Sequence, residues 1–449
     1  MVTVITYGTY DLLHHGHIRL LERAKALGDY LIVGVTADDF DKTRGKINVQ
    51  QSLIERIEAV RATGLADKII VEEYEGQKID DILRYNVDIF TVGSDWIGKF
   101  DYLNEYCKVH YLERTEGVSS SDIRSHDIKL KMGMVGESNI LNKFYNESRY
   151  VNGIEMVGVC TMNDSELDMS LKSLPLMTDN YDELLKNVDA VYIISSPQYH
   201  YEKIKRALQS GKHVLVESPV ALDREKCKEL FLLARKNGCV LSEGIKTAYS
   251  TAYSRMILLA KSGIIGDIVS VDATCTSLRP IGSEHKNYHW NSIEAWGPSA
   301  LLPVFQLLGV DFTSHQMVVK YSNEEKKYDD FTKISFVYPQ SVASIKVGQG
   351  VKSEGELVIS GTKGYIYVPA PWWKTDYFEV RFEDQTNNKR YFYQLDGEGI
   401  RYEIAAFAKA ISKGISNYYI DERVSYKIAE IMQSFYEGEN IVKLNTGKV

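Results

Sequence analysis

The segment Gly8–His17, GTYDLLHHGH, carries residues whose types and spacing suit chemistry. His14 and His17 lie three positions apart, so at the start of a helix both imidazoles lie on one face. A helix N-terminus attracts anions, and Gly16 lets the backbone approach a ligand closely. Two imidazoles beside an anion site suit transfer at a nucleotide phosphate, where a protein positions groups and stabilises developing charge.

A second segment, Arg114–Asp122, places three hydroxyls before an expected helix. One interpretation is that these hydroxyls only cap the helix. The other is that Arg114 grips a phosphate bidentately while hydroxyls and N–H groups hold the rest. Arg44 and Lys46 lie on a polar loop, which is either merely solvated or supplies a lysine that closes over a triphosphate.

Strands and helices alternate over the expected first domain, residues 1–127. Strands are predicted at 2–7, 30–35, 68–71, 89–92 and 109–112, and helices at 18–27, 52–63, 79–85 and near Ser121. This order predicts a parallel sheet covered on both faces, with ligands beyond the carboxyl ends of its strands. The histidine turn, Asp95-Trp96 and Arg114-Thr115 all follow strands, so we expect them to converge on one edge.

These residues resemble the glycerol-3-phosphate cytidylyltransferase family over residues 1–125. The matching stretches are 5–17 (ITYGTYDLLHHGH), 21–25 (LERAK), 93–101 (GSDWIGKFD) and 114–120 (RTEGVSS). The resemblance implies a Rossmann-like nucleotidyltransferase of the HxGH type. It further implies a reaction of CTP with a phosphorylated polyol that gives a CDP-polyol and pyrophosphate, for teichoic-acid or capsule-type polymers.

The resemblance also implies roles for individual residues. His14 and His17 stabilise the transition state, and Lys46 and Arg114 hold phosphates. Mg²⁺ is expected, and Asp11 either binds it or holds the turn. The remaining nucleotide and substrate positions are Thr9, Tyr10, Gly16, Arg44, Asp95, Trp96, Thr115, Ser119 and Ser120. Glycerol 3-phosphate is the first choice of acceptor. Because residues 62–67 lack a basic residue that relatives often carry, ribitol 5-phosphate, glycerol 2-phosphate and other small phosphorylated metabolites stay open.

A second doubly wound α/β domain is predicted for residues 128–245. Strands are expected at about 128–136, 155–160, 190–195, 213–217 and near 240, with helices at 139–151, 181–186, 199–210 and from 224. Residues 189–200, 211–219, 262–266 and 397–403 resemble the Gfo/Idh/MocA family of NAD(P)-dependent oxidoreductases. That resemblance implies a C-terminal α/β domain, 246–449, with an open, mostly antiparallel sheet, and a homo-oligomer, a dimer or larger.

The second domain departs from that family where redox chemistry needs specific groups. Candidate dinucleotide-binding residues are Gly136, Ser138, Ser196, Pro197 and Glu217. Glu137 adds a carboxylate to the expected pyrophosphate turn, and Thr161 replaces an acid that binds ribose. Ser218 stands where relatives carry a catalytic lysine, and residues 296–306 lack an acid or imidazole. Lys246, His285 and His289 are candidate substitutes, although such lone residues are usually structural.

Composition narrows the function classes for this chain of 449 residues. A net charge of -8 without a basic block argues against a nucleic-acid partner. Five scattered cysteines indicate reduced thiols, and the absence of a signal-peptide pattern or a long apolar run predicts a cytoplasmic protein without membrane insertion. Three readings stay open for the second domain: a scaffold that has lost redox chemistry, an NAD(P)-dependent dehydrogenase, or a ligand-sensing module.

Overall fold

The computed structural model describes residues 2–37, 49, 51–73, 76–113, 130–137, 139–151, 153–165, 167–278, 290–393, 395, 397–414 and 419–444. The chain divides into two compact units, residues 1–129 and 130–449. The division falls two residues after the one expected from sequence. Both later predicted domains lie within the second unit, so the boundary at residue 245 stays a prediction.

The first unit is a five-stranded parallel sheet in the order β3-β2-β1-β4-β5. The central strand β1 alternates its apolar residues between two cores: Val4 packs with α1 and Ile5 with α3 and β4. The elements are β1 Thr3–Gly8, α1 His15–Lys25, β2 Tyr30–Thr36, α2 Leu53–Ala62, β3 Lys68–Glu72, α3 Gln77–Tyr85, β4 Ile89–Gly93 and β5 Lys108–Leu112.

A second parallel sheet opens the second unit, in the order β11-β10-β9-β6-β7-β8. Its strands are apolar and buried, as is expected where helices cover both faces. The elements are β6 Leu130–Gly136, α4 Ile140–Ser148, β7 Ile154–Cys160, α5 Met169–Lys172, β8 Leu176–Thr178, α6 Tyr181–Asn187, β9 Ala190–Ile194, α7 His200–Gln209, β10 His213–Glu217, α8 Arg224–Lys236 and β11 Leu241–Gly244.

A nine-stranded sheet follows, in the order β19-β18-β17-β16-β12-β15-β14-β13-β20. Its pairs are antiparallel except β12 with β15 and β13 with β20, so the prediction of a mostly antiparallel sheet is confirmed. The elements are α9 Thr251–Lys261, β12 Ile268–Thr276, α10 Ser292–Leu308, β13 Ser314–Asn323, β14 Tyr328–Val337, β15 Val342–Gly348, β16 Leu357–Gly361, β17 Tyr365–Val368, β18 Tyr377–Arg381, β19 Lys389–Phe392, α11 Ile400–Lys413, α12 Glu422–Glu437 and β20 Ile441–Lys443.

The predicted α/β class with two Rossmann-type sheets is confirmed, although some element bounds differ. The first helix begins at His15 rather than at residue 18, because His14 already caps it. The helix expected near Ser121 lies outside the described residues. Within the described part of the chain, no helix has both the length and the apolar character needed to span a bilayer.

Candidate active site and nucleotide-binding edges

The turn from β1 to α1 brings the two predicted histidines together. His14 is the N-cap of α1, and its Nδ1 accepts a hydrogen bond from the Gly16 N–H at 3.1 Å. The imidazole rings of His14 and His17 stack with centroids 3.9 Å apart and planes at 27°. The spacing of three therefore places both rings at the N-terminus of the helix, the end whose dipole favours negative charge.

The turn is shaped by Tyr10, whose backbone has a left-handed φ of 53°. Its ring is 2% exposed, lies in the core beside Val4 and Leu21, and contacts the His17 ring edge-on at 5.6 Å. A Cβ at Gly8 would lie 2.9 Å from the Tyr10 ring, so the strand must end in glycine for this packing. Tyr10 is one of the predicted ligand-binding positions, and its ring also supports that of His17.

Arg56 on α2 stabilises the same turn, a role that the sequence analysis did not predict. Its side chain is fully buried, and its guanidinium donates to the carbonyls of Thr9 at 2.7 Å, Thr36 at 2.8 Å and Gln51 at 3.2 Å. A planar guanidinium can bridge several acceptors in fixed directions. The signal available in the sequence is its position four residues before Val60, on the buried face of the helix.

Asp11 ties the turn to the segment before α2. Its carboxylate is 4% exposed and accepts from the Gln51 N–H at 3.0 Å, while the Leu12 N–H donates to the Gln51 side chain at 2.8 Å. This geometry supports the second of the two predicted roles, holding the turn. Within the described ranges, no group of three or more histidine, cysteine or acidic residues could hold a metal ion, so we derive no step through Mg²⁺.

Asp95 and Trp96 follow β4, which pairs directly with β1. Their short 3₁₀ turn therefore starts at the same sheet edge as the histidine turn, as predicted. Asp95 is exposed, whereas Trp96 is half-buried against Phe100 at 5.7 Å, with the Lys99 ammonium 5.2 Å from its ring. The other predicted positions of this unit lie outside the described residues: Arg44, Lys46, Arg114, Thr115, Ser119 and Ser120.

A buried polar network, also missed from sequence, stabilises the neighbouring strand ends. Glu72 at the end of β3 forms an ion pair with Lys78 and accepts from the Thr36 hydroxyl at 2.8 Å. Tyr7 on β1 donates to Asp81 at 2.8 Å, and burial together with that carboxylate raises the pKa of Tyr7. Because every partner is satisfied, the network fixes the relative positions of β1, β2 and α3.

The carboxyl edge of the second unit contains the predicted dinucleotide-binding residues. A Cβ at Gly136, which ends β6, would lie 1.8 Å from the Ile194 carbonyl oxygen, so strand packing alone requires glycine there. Ser196 and Pro197 begin the turn after β9. Next to them the Ser195 hydroxyl is buried without a hydrogen-bond partner among the described residues. Ser138 lies outside the described residues.

Glu217 ends β10 and accepts a hydrogen bond from the Tyr192 hydroxyl at 2.5 Å. The Tyr192 ring stacks on Phe144 of α4 with centroids 3.7 Å apart. Burial raises the pKa of Glu217 and, together with the charge of Glu217, raises that of Glu403 well above its ordinary value. The structure thus engages Glu217 with a protein partner, the Tyr192 hydroxyl.

Ser218, at the position of the expected catalytic lysine, points into the protein. Its side chain is 6% exposed and its hydroxyl donates to Glu243, whose other oxygen accepts from the Ser425 hydroxyl. Burial raises the pKa of Glu243. Lys246, a candidate substitute, instead forms an ion pair with Glu398 at 3.3 Å. His285 and His289 lie outside the described residues.

Two further positions where relatives carry functional groups are Thr161 and the segment 296–306. The Thr161 hydroxyl donates a hydrogen bond to the Asn163 carbonyl at 2.9 Å and so stabilises the turn that follows β7. Residues 296–306 lie within α10 and are largely buried. Gln306 binds the Tyr419 carbonyl at 2.8 Å and accepts from Tyr253 at 2.8 Å. The Thr161 hydroxyl and the Gln306 amide are therefore both engaged with other groups of the protein.

The first unit is similar in sequence to a known protein family and to individual enzymes. Residues 5–126 match the family model described as cytidylyltransferase-like. The glycerol-3-phosphate cytidylyltransferase of Bacillus subtilis (strain 168) is 48% identical over 124 residues, which are 28% of this chain and 95% of that protein. The enzyme of that name from Staphylococcus aureus is 46% identical over 128 residues, 28% of this chain and 93% of that protein.

The chain belongs to the glycerol-3-phosphate cytidylyltransferase family. Its first unit is thus a nucleotidyltransferase, and the resemblance predicted from the histidine turn is confirmed.

Residues 130–245 match the family model described as the oxidoreductase family with an NAD-binding Rossmann fold. A dTDP-3,4-didehydro-2,6-dideoxy-alpha-D-glucose 3-reductase of Actinomadura kijaniata is 37% identical over 100 residues, 22% of this chain and 30% of that protein. A 3-ketoreductase from the same organism, solved with NADP and TDP-benzene, superposes with a TM-score of 0.62 at 18% identity over 71% of this chain and all of its own. At that identity the likeness establishes the fold.

Proposed function

We propose that the first unit transfers a cytidylyl group from CTP to glycerol 3-phosphate, forming CDP-glycerol and pyrophosphate. The stacked pair His14 and His17 at the N-terminus of α1 is the observation that carries the proposal. The curated relatives named above add support, since they match the first unit over nearly their whole length. The CDP-polyol would then serve as precursor of a teichoic-acid or capsule-type polymer.

In this reaction an oxygen of the acceptor phosphate forms a bond to the α-phosphorus of CTP. The bond from that phosphorus to the bridging oxygen of pyrophosphate breaks, and its electron pair leaves with pyrophosphate. Negative charge accumulates on the oxygens around the α-phosphorus, where preorganised donors are most effective. Because Nδ1 of His14 accepts the Gly16 N–H, a neutral His14 carries its proton on Nε2 and can donate it to those oxygens.

The other predicted ligand-binding residues complete this proposal. Lys46, Arg114, Ser119 and Ser120 hold the triphosphate, while Asp95 and Trp96 bind nucleotide or acceptor. Thr9 contributes through its backbone, whose carbonyl is fixed by the buried guanidinium of Arg56. Correct placement of reacting groups accounts for much of the rate in such transfers, which gives Arg56 a positioning role.

The test measures pyrophosphate release by the full chain from CTP with glycerol 3-phosphate, ribitol 5-phosphate or glycerol 2-phosphate in turn. We expect glycerol 3-phosphate to give the highest kcat/KM. His15→Ala is the matched control, because His15 belongs to the same motif but is exposed and accepts a hydrogen bond from the surface residue Arg19 at 3.3 Å. Equal activity of His15→Ala, His14→Ala and His17→Ala would contradict the proposed site.

We also propose that the second unit does not transfer hydride to or from polyols or their phosphates. The inward hydrogen bond from Ser218 to Glu243 is the main support, since it removes the side chain from the sheet edge. A dinucleotide could still bind at Gly136, Ser195 and Ser196 without reacting. Incubation of the full chain with NADH or NADPH and each polyol, followed by nicotinamide absorbance, tests this; steady turnover would favour the dehydrogenase reading.

One alternative is that the protein is bifunctional, both a cytidylyltransferase and a dehydrogenase. The likeness of its second unit to a ketoreductase solved with NADP supports this alternative. Calorimetry with NADP(H), combined with assays of both activities, distinguishes the three hypotheses for the second unit. A scaffold gives no binding, a ligand-sensing unit gives binding that changes cytidylyl transfer, and a dehydrogenase gives binding with turnover.

Light scattering of the full chain tests the proposed homo-oligomer. Cell fractionation tests the proposed cytoplasmic location.

A further inference from the structure

Three lysines from separate segments of the second unit converge on one carboxylate. Lys143 lies on α4, Lys246 in the 3₁₀ turn after β11, and Lys374 in the 3₁₀ turn after β17. Their ammonium groups lie 3.4, 3.3 and 3.1 Å from the carboxylate oxygens of Glu398. We call these four residues the lysine cluster. All four side chains are partly solvent-exposed, so a dissolved ligand can reach them.

The backbone that carries Glu398 is bent to deliver this carboxylate. Gly397, Glu398 and Gly399 all have left-handed φ values, of 58°, 56° and 89°. Left-handed geometry is accessible to glycine but unfavourable for a residue with a Cβ, so Glu398 is the strained member. A Cβ at Gly397 would lie 1.6 Å from Glu147, which shows how tightly the loop is pressed against α4.

The charges of the lysine cluster do not balance. Three ammonium groups face one carboxylate, which leaves a net charge of about +2 in the cluster. Glu147 nearby is already paired with Arg401 at 2.7 Å. Burial raises the pKa of the buried carboxyls Glu217 and Glu403, and the charge of Lys246 acts on both in the opposite direction. The lysines lower the pKa of Glu398 to about 2, so it stays ionised throughout the physiological range.

The turns that carry two of the lysines are fixed to each other. The Thr247 hydroxyl, next to Lys246, donates to the carbonyl of Trp373, next to Lys374, at 3.1 Å. α4 follows β6 and the Lys246 turn follows β11, so the cluster lies at the carboxyl ends of the second unit's parallel strands. Ligands of such sheets bind at that edge.

We infer that the lysine cluster is a binding site for the phosphoryl group of a phosphate ester, and that Glu398 occupies it as an internal, displaceable ligand. A phosphate monoester presents three oxygens and about two negative charges, which matches three ammonium donors better than one carboxylate does. Displacement also lets the strained Glu398 backbone relax. The inference concerns the second unit alone and goes beyond the activity proposed for the first.

The test compares phosphate-ester binding by full-chain variants in calorimetry, with inorganic phosphate, glycerol 3-phosphate and CDP-glycerol as probes. Glu398→Gln keeps the shape but removes the competing charge, so we expect roughly tenfold tighter binding than in the unmodified chain. Glu229→Gln is the matched control, because it removes an exposed carboxylate that binds a single lysine, Lys205, at 2.9 Å. Binding by the first unit is common to all these proteins and does not contribute to the difference.

A combined variant separates a specific site from general charge attraction. Adding Lys246→Gln and Lys374→Gln to Glu398→Gln should abolish the gain, while circular dichroism and cytidylyl transfer stay unchanged. The probe with the largest gain identifies the source of the phosphoryl group: the ester, the nucleotide diphosphate or free phosphate. Equal affinities in Glu398→Gln and Glu229→Gln, or a gain that persists without the two lysines, would overturn the inference. Absence of cytidylyl transfer by the unmodified chain would instead refute the function proposed for the first unit.

Discussion

Replacement of Arg56 tests whether the histidine turn depends on a buried support. Within the described part of the chain, the guanidinium donates three hydrogen bonds to main-chain carbonyls, those of Thr9, Thr36 and Gln51. A hydrogen bond from a charged donor contributes about 1.5–3 kcal/mol. At the lower figure, Arg56→Met loses about 4–5 kcal/mol, comparable with the whole stability of a small unit.

Arg56→Lys is the more informative change, because lysine keeps the charge but presents a single point donor. We expect it to retain one of the three carbonyl contacts and to destabilise the first unit by roughly 3 kcal/mol. The corresponding fall in the unfolding temperature is on the order of 10 °C. Because the Thr9 carbonyl then shifts, kcat should fall by about 10²-fold although the residue does not touch substrate.

Differential scanning calorimetry of the full chain measures the stability, and the transition that CTP shifts upward identifies the first unit. Pyrophosphate release measures the rate. Arg61→Lys is the control, since Arg61 lies on the same helix but is exposed and forms an ion pair with Glu58 of that helix. If Arg56→Lys matched Arg61→Lys in both unfolding temperature and kcat, the idea that this guanidinium positions the turn would be refuted.

Other expected outcomes concern the proposed site and a buried carboxyl. His14→Ala and His17→Ala should each lower kcat by ~10²–10³-fold with little change in unfolding temperature, and near-normal turnover would remove them from the site. Arg114→Lys should raise the KM for CTP and lower kcat, because an ammonium cannot grip phosphate bidentately; unchanged constants would make Arg114 structural. Burial raises the pKa of Glu294 to about 7, so the folded state holds a proton that the unfolded state has lost. Its contribution to stability is therefore lost as pH rises from about 4.5 to about 7, by roughly 2–3 kcal/mol, and Glu294→Gln should flatten that part of the calorimetric pH profile.

The parallel sheets and the histidine turn could be predicted because their signals are local. Apolar runs of five to seven residues, each followed by a helical pattern, specify strands such as β1 and β9. The stacking of His14 on His17 follows from their spacing at the start of a helix and does not depend on distant residues. The helix start was misplaced by three residues because a histidine is an uncommon N-cap. Its Nδ1 nevertheless accepts the N–H that Ser or Asp would accept.

The supports of the site could not be predicted, because they join residues that are distant in sequence. Arg56 contacts a carbonyl 47 residues away, and Lys143 contacts Glu398 across 255 residues. A charged residue within a helix is ordinarily expected at the surface, so nothing in the pattern of α2 distinguishes buried Arg56 from exposed Arg61 except helical phase. Such partners follow from packing, which periodicity does not report.

The two units show that one topological rule leads to different chemistry according to a few side chains. In each, the first strand of a parallel sheet runs into a helix whose N-terminus faces the carboxyl edge. In the first unit that edge carries two stacked imidazoles. In the second, Ser218 turns inward to Glu243 and the exposed cations of the lysine cluster surround Glu398. Ammonium groups gathered around a single carboxylate suit the binding of anions. This difference between the two edges is why we propose that the second unit holds an anionic ligand and does not transfer hydride to or from polyols.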